Sequence, residues 1–360
     1  MALDFDNSTV RRAGWALFAL FLAVMAVLPM VSDDQFVLRL ILFSFIWAGF
    51  AVAWNLFSGY SGYISFGHAI FFGMGAFVST VLQAEMGITP WIGMVVGALV
   101  SVLIALLIGY ITFRAGLSGI YFALSMLTLP LIAAPILVWL GYIELSIPIE
   151  AEQPLLYMSF RGVEGYYYIA MFLFLVTFAI SWWVQRNRLG YYLQAIKSSE
   201  EGAASLGVDT TKYKLAALSL SAFLSSMFGV IYVQSNFIFA SVDIFTLTTS
   251  AQPVILAVAG GLGTLFGPVV AGFTLFPIAE LLREELGSII PGINAIVYGI
   301  VLIFIIVYLP DGLYTGIRER LLDRGHESEQ SDAGLAGTDS EDATARADDP
   351  INPETNERSD

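Results

Sequence analysis

The stretch from Tyr166 to Val184 carries no charged side chain at all. A helix of about 20 such residues crosses the hydrocarbon layer of a bilayer. Similar apolar blocks recur at 14–31, 38–57, 63–83, 90–111, 118–140, 213–236, 247–262, 265–282 and 291–309. With 57% apolar and 13% charged residues, the chain lies outside the range of soluble globular proteins. The predicted fold is therefore an all-α integral membrane protein of about ten transmembrane helices. The eighth and ninth blocks are short and glycine-broken, so the sequence leaves open whether both cross. The first block follows Arg11 and Arg12 as a signal peptide would. No small-residue cleavage motif precedes Ser32 and more spans follow, so it is read as the first helix.

Charge gives an independent check on topology, because Lys and Arg collect on the cytoplasmic side of short loops. Placing the N-terminus inside puts Arg11, Arg12, Arg114, Arg186, Arg188, Lys197, Lys212, Lys214, Arg318, Arg320 and Arg324 on that side. Only Arg39, Arg161 and Arg283 fall outside. An even number of spans with both termini cytoplasmic fits this split. The expected organisation is a cytoplasmic N-terminus (1–13), a membrane domain (14–310) with an inner loop at about 185–212, a basic juxtamembrane segment (311–325) and an acidic tail (326–360). Most of the net charge of −14 sits in that tail, whose composition offers almost nothing to bury and predicts disorder. Both an adaptation to high salt and an ordinary acidic tail fit it.

Several chemistries are absent. There is no cysteine, and His68 and His326 are the only histidines, so no metal centre or thiol chemistry is expected. No Walker-type phosphate loop, zinc-protease His pair or nucleophile elbow occurs, so neither enzymatic activity nor a bound cofactor is expected. Carboxylates within spans are nearly missing, which disfavours a proton-coupled carrier. His68 is the clearest intramembrane ionisable group and reads as a hydrogen-bonded structural residue, as do Asn55 and Gln252. Pro130, Pro135, Pro253 and Pro277 are expected to kink or end helices.

The inner loop holds the most informative local signals. Ser198 and Glu201 have the spacing of a capping box. Gly207 stands where a helix ends in the left-handed conformation, and Asp209 offers the next N-cap. These signals predict a helix of about two turns over 199–207, lying outside the membrane. Its small residues Gly202 and Ala203 would let another protein approach closely. A plain amphipathic loop helix fits the same residues.

Residues 188–207, RLGYYLQAIKSSEEGAASLG, resemble the EAA loop of ABC importer permeases, most closely the branched-chain amino acid permeases of the LivM type. Glu200, Ala203, Leu206 and Gly207 match the pattern, whereas Gly202 replaces the usual alanine and Glu201 fills a position that is usually apolar. The resemblance implies that Glu200, Glu201, Gly202, Ala203, Ala204, Leu206 and Gly207 contact a cytoplasmic ATPase, and leaves open which glutamate faces it. Residues 55–76 and 260–268 are similar to the early and late glycine-rich signatures of the same family. With the three runs in the family's order, the resemblance extends over about 38–310.

On physical grounds the glycines permit close helix packing or broken helices that line a polar path. Gly59, Gly62, Ser65, Gly67, His68, Gly73, Gly260, Gly261, Gly263, Thr264 and Gly267 are the candidate pathway positions. The resemblance further implies a second homologous permease subunit, two ATPase subunits, an extracytoplasmic solute-binding protein and a cell-membrane location, with no nucleic-acid partner. Branched-chain amino acids are the implied cargo; urea, amides or a sugar carried by the same machinery, or a carrier working alone, are the alternatives.

Overall fold

A computed structural model describes residues 8–32, 34–150, 152–287, 299, 312 and 313. The expected tenth span at 291–309, the basic segment and the acidic tail lie outside these residues, apart from single positions. The described chain forms α1 (Ser8–Val31), α2 (Gln35–Ser61), α3 (Ala69–Met86), α4 (Pro90–Arg114), α5 (Gly119–Trp139), β1 (Glu144–Ser146), α6 (Glu164–Arg186), α7 (Arg188–Ser198), α8 (Glu200–Ser205), α9 (Thr210–Asn236), β2 (Ile238–Ala240), α10 (Ser241–Ile244), α11 (Leu247–Gly260) and α12 (Gly267–Gly287). Eight of the described helical stretches are long and apolar enough to cross a membrane. The ninth expected block forms α12, a separate helix with Glu280, Arg283 and Glu284 in its last turns. Strands β1 and β2 pair antiparallel, with Leu145 opposite Phe239, and form a small clasp on an otherwise helical protein.

Helix boundaries follow local chemistry. Asp34 caps α2 by accepting the amides of Phe36 and Val37, and the helix ends where Gly62 takes φ +78°. Thr89 caps α4 ahead of Pro90, whose missing N–H costs nothing at a first helical position. Pro130 and Pro135 lie within α5, Pro253 within α11 and Pro277 within α12, and none ends its helix.

Two boundaries depart from the sequence expectation. The third span was placed at 63–83, but residues 62–68 are not helical and α3 starts only at Ala69. The inner loop was read as holding one short helix, but Arg188–Ser198 forms a further one. That helix buries Gly190, Leu193 and Ile196 along one side, the i, i+3, i+6 spacing of a helix lying on a surface.

α2 and α9 are the central helices, with α3 and α4 packed beside them; α1 and α5 are peripheral. Glycine sets the spacing around α9. A Cβ on Gly229 would stand 1.9 Å from the carbonyl oxygen of Phe72, and one on Gly75 2.3 Å from that of Ser226. Gly97 of α4 in turn lies against Gly75. Such backbone-to-backbone approach is how helices associate where lipid removes the hydrophobic drive. The starts of α2 and α6 meet the end of α9 at one end of the bundle, through Gln35–Glu164 and Arg39–Asn236 hydrogen bonds. The opposite end holds the finish of α2, all of α7 and α8, and the start of α9.

Gly229→Ala should destabilise the purified protein by roughly 1–3 kcal/mol, the usual cost of overpacking a filled core. Gly14→Ala, on an exposed face with open space around it, should leave the melting temperature unchanged. Thermal unfolding in detergent measures both.

Candidate functional site

The two glycine-rich runs, far apart in sequence, meet at the α7–α8 end of the bundle. Asn55, in the last turns of α2, joins them. Its Nδ2 donates to the carbonyl of Thr264 at 2.8 Å, and its Oδ1 accepts the amide of Gly263 at 2.9 Å. Gly263 lies so near α2 that a Cβ there would be 2.8 Å from the Gly59 carbonyl oxygen, and its φ of +81° disfavours a side chain in any case. Lys197, from the last turn of α7, donates to that same Gly59 carbonyl at 2.9 Å. Thr264 closes the turn 261–266 on itself, accepting the Gly267 amide and donating to the Gly261 carbonyl. Gly260 and Gly267 then face each other backbone to backbone.

The first break runs deeper. His68 immediately precedes α3 and is fully buried. Its Nε2 lies 2.8 Å from Ser221 Oγ, and Ser221 gives its own proton to the Ala53 carbonyl at 2.6 Å. Ser221 can therefore only accept from the ring, which puts the proton on Nε2 and leaves Nδ1 to accept from Ser65 Oγ at 2.8 Å. Ser221 stands roughly 16 Å along α9 from its start, and Ala53 roughly 12 Å back from the end of α2, at 1.5 Å per residue. Residues 62–68 thus climb as non-helical chain from the end of α2 to about mid-bundle before α3 begins. The Trp54 indole accompanies them, donating to the Ser65 carbonyl at 2.7 Å.

Gly67 and Gly73, like Gly59, Gly260 and Gly267, leave no room for a side chain. A Cβ on Gly67 would strike the Met126 carbonyl, and one on Gly73 the ring of Phe245, so both are closed by packing. Gly62 is exposed beside Lys197, and Gly261 supplies a backbone φ of +123°.

α8 begins at Glu200, one residue after its cap. Ser199 accepts the Gly202 amide at 3.0 Å, so the cap is Ser199 and the third helical residue is Gly202. The anticipated Ser198–Glu201 capping box is therefore not formed: Ser198 belongs to α7, and its hydroxyl bonds the Gln194 carbonyl. The rest of the local expectation holds. Gly207 adopts φ +85° and Asp209 accepts the Lys212 amide. The small residues divide: Ala203 is buried against the body, whereas Gly202 stays on the open side. Glu201, Gly202, Ala204, Ser205 and Leu206 are exposed, Leu206 by 87%.

Glu200 faces inward. Its carboxylate accepts from Lys214 Nζ and from Tyr63 Oη, while Lys214 also lies 3.2 Å from that phenol oxygen. The Lys214 ammonium sits 4.6 Å from the Tyr63 ring centre and 4.7 Å from that of Phe113, a cation–π arrangement. Lys214 is only 2% exposed. Burial pushes the Glu200 carboxyl up, but the bonds from Lys214 and Tyr63 outweigh it and hold the group below its ordinary 4.5. A depressed folded-state value means that the pair's contribution is complete above the ordinary value and is lost only as pH falls through the lowered one.

Residues 36–306 match the family model for the branched-chain amino acid transport system permease component. The chain belongs to that family. Among curated relatives it is similar to the high-affinity branched-chain amino acid transport system permease protein LivM of Salmonella typhimurium, 25% identical over 88% of this chain and 78% of the relative. It is also similar to the LivM protein of Escherichia coli K12, 22% identical over the same shares. No solved structure gives a significant match. Together with its apolar helices, the family places the chain among multi-pass membrane permeases, as a transport subunit.

In this permease the sequence did not single out Tyr63 or Lys214 as site residues, and it read Asn55 as ordinary helix glue. A lysine at the start of an apolar run, fourteen positions after a glutamate, was the available signal. Replacing Asn55 with leucine should orphan the Gly263 amide and the Thr264 carbonyl, at about 1–3 kcal/mol for each buried group. A fall in melting temperature, with membrane insertion intact, is the expected result.

Proposed function

We propose that this chain is a permease subunit of an ATP-driven ABC importer and forms part of the translocation path for branched-chain amino acids. The observation that carries the reading is α8, a capped helix projecting Leu206 and Glu201 from the basic end of the bundle while Ala203 and Glu200 anchor it inward. A helix so held fits a lever: its outer face is free for a partner, and its inner face is bonded through Glu200 to Tyr63 of the first break. The cargo follows from the family and from the names of the LivM relatives.

In this reading the α7–α8 end and both termini are cytoplasmic. The basic residues support that side: Arg114, Arg186, Arg188, Lys197, Lys212 and Lys214 sit at the α8 end, whereas Arg39 and Arg161 flank a shallow cleft at the other. Positive residues concentrate on the cytoplasmic face of membrane proteins. Two ATPase subunits would engage α8, a second permease would complete the path, and a solute-binding protein would dock at the cleft end. Exposed apolar side chains on α5, among them Ile120, Leu124, Leu131 and Trp139, offer a surface for lipid or for the second permease.

The mechanism needs no bond chemistry in this chain. Closure of the ATPases on nucleotide displaces α8. Because α8 bonds to Tyr63 and its neighbour Lys197 bonds to Gly59, the displacement reaches both breaks and re-spaces the helices they join.

Leu206→Asp tests the proposal with little cost to the fold, since the side chain is exposed. With its ATPase, partner-permease and binding-protein subunits, the variant should lose ATPase co-purification and ATP-dependent leucine uptake at least about tenfold, as when a central apolar anchor of an interface is lost. Its melting temperature should not change. Undiminished ATP-driven uptake would contradict the reading.

A further inference from the structure

Glu200, Lys214 and Tyr63 form the contact between α8 and the first break. Segment 62–68 has no covalent link to α8 other than through whole helices, and Tyr63 donates to Glu200 across that gap. Each carboxylate oxygen of Glu200 is taken by a different element, Oε1 by Lys214 of α9 and Oε2 by Tyr63. The carboxylate is thereby fixed in two directions.

Stability alone gives a weak reason for such a cluster. A buried ion pair is often replaceable by well-packed apolar side chains without loss, while removing one partner strands the other. What the charged pair adds is a directional, short-range tie that apolar contact lacks. Tyr63 adjoins Gly62, whose left-handed backbone ends α2. From Tyr63 the non-helical chain leads to His68, which is bonded to mid-α9 and, through Ser221, to α2. A pull on Glu200 thus has a bonded route from the surface of the protein to half its depth.

We propose that Glu200, Lys214 and Tyr63 act as a positioning clamp that makes segment 62–68 follow α8, so that partner-driven displacement of α8 opens or closes the path. This rests on the reading of α8 as the element that engages the ATPases. Glu200 is then the inward glutamate, holding the clamp, and Glu201 the outward one, left for the ATPase.

The test uses the full complex in proteoliposomes, with ATP hydrolysis and radiolabelled leucine uptake measured on the same preparation. Glu200→Gln and Lys214→Met should keep the ATPases bound and hydrolysing while uptake per ATP falls about tenfold, within the usual 5–150-fold range of coupling between sites. Tyr63→Phe, which keeps the ring under Lys214 and deletes only the hydroxyl, should lower the same ratio and guards against misfolding of the others. The single reversals Glu200→Lys and Lys214→Glu should be uncoupled, and their combination should recover uptake per ATP.

A purely structural role predicts loss of assembly and hydrolysis together, with uptake per ATP unchanged in the surviving complexes; that result overturns the clamp. So does parental coupling in Tyr63→Phe and Glu200→Gln. Leu206→Asp separates the two levels. If it leaves the ATPases bound and uptake intact, the reading of α8 fails. If it releases them while the clamp variants remain fully coupled, only the clamp fails.

Discussion

A chain that leaves the helical conformation inside an apolar bundle exposes amides and carbonyls that lipid cannot satisfy. Among the described residues the protein does so at 62–68 and at 261–266, and the inner architecture around them answers to that demand. Asn55 supplies one donor and one acceptor to the second break. The Trp54 indole and the Ser58 hydroxyl bond the Ser65 carbonyl and amide of the first. His68 ends that break with both ring nitrogens bonded. Three of these groups, Trp54, Asn55 and Ser58, come from α2 alone.

Around these breaks the bundle is unequal in stiffness. Gly75, Gly97 and Gly229 bring α3, α4 and α9 into backbone contact, and interiors packed in this way deform little. The α7–α8 end adds a few polar bonds to the packing of Leu193, Ile196 and Ala203: Lys197 to Gly59, and Glu200 to Lys214 and Tyr63. A small number of directional bonds can exchange between two arrangements more readily than an interdigitated core. That division suits a permease whose frame stays fixed while one end responds to a partner.

The sequence was readable where the signal is local. Apolar blocks marked the spans, Gly207 and Asp209 marked the end of α8 and the start of α9, and the glycine runs marked the breaks. It was less readable where a partner lies far along the chain. Asn55 and Gly263 are 208 positions apart, and Tyr63 and Glu200 are 137 apart; no window of sequence contains either pair. The capping box at Ser198 failed for a subtler reason. Two adjacent serines offer two cap registers, and packing of Leu193 and Ile196 carries α7 through Ser198, which leaves Ser199 as the cap. Helix α7 itself was legible in the spacing of those same residues, but the density of charge around them read as a loop. Only the start of α3 was misplaced, because Tyr63, Ile64 and Phe66 carry the apolar run back across the break to Gly62.

The account stands on α8 and segment 62–68 moving as one body. Because the chain contains no cysteine, spin labels can be placed in pairs among Ser205 on α8, Ile64 in the break and Leu99 on α4, all exposed positions. Pulsed electron-resonance distances in the assembled complex, with and without ATP, measure the motion directly. The Ser205–Ile64 distance should stay constant while both labels shift relative to Leu99. A Ser205–Ile64 distance that changes while Ile64 keeps its distance from Leu99 would contradict it.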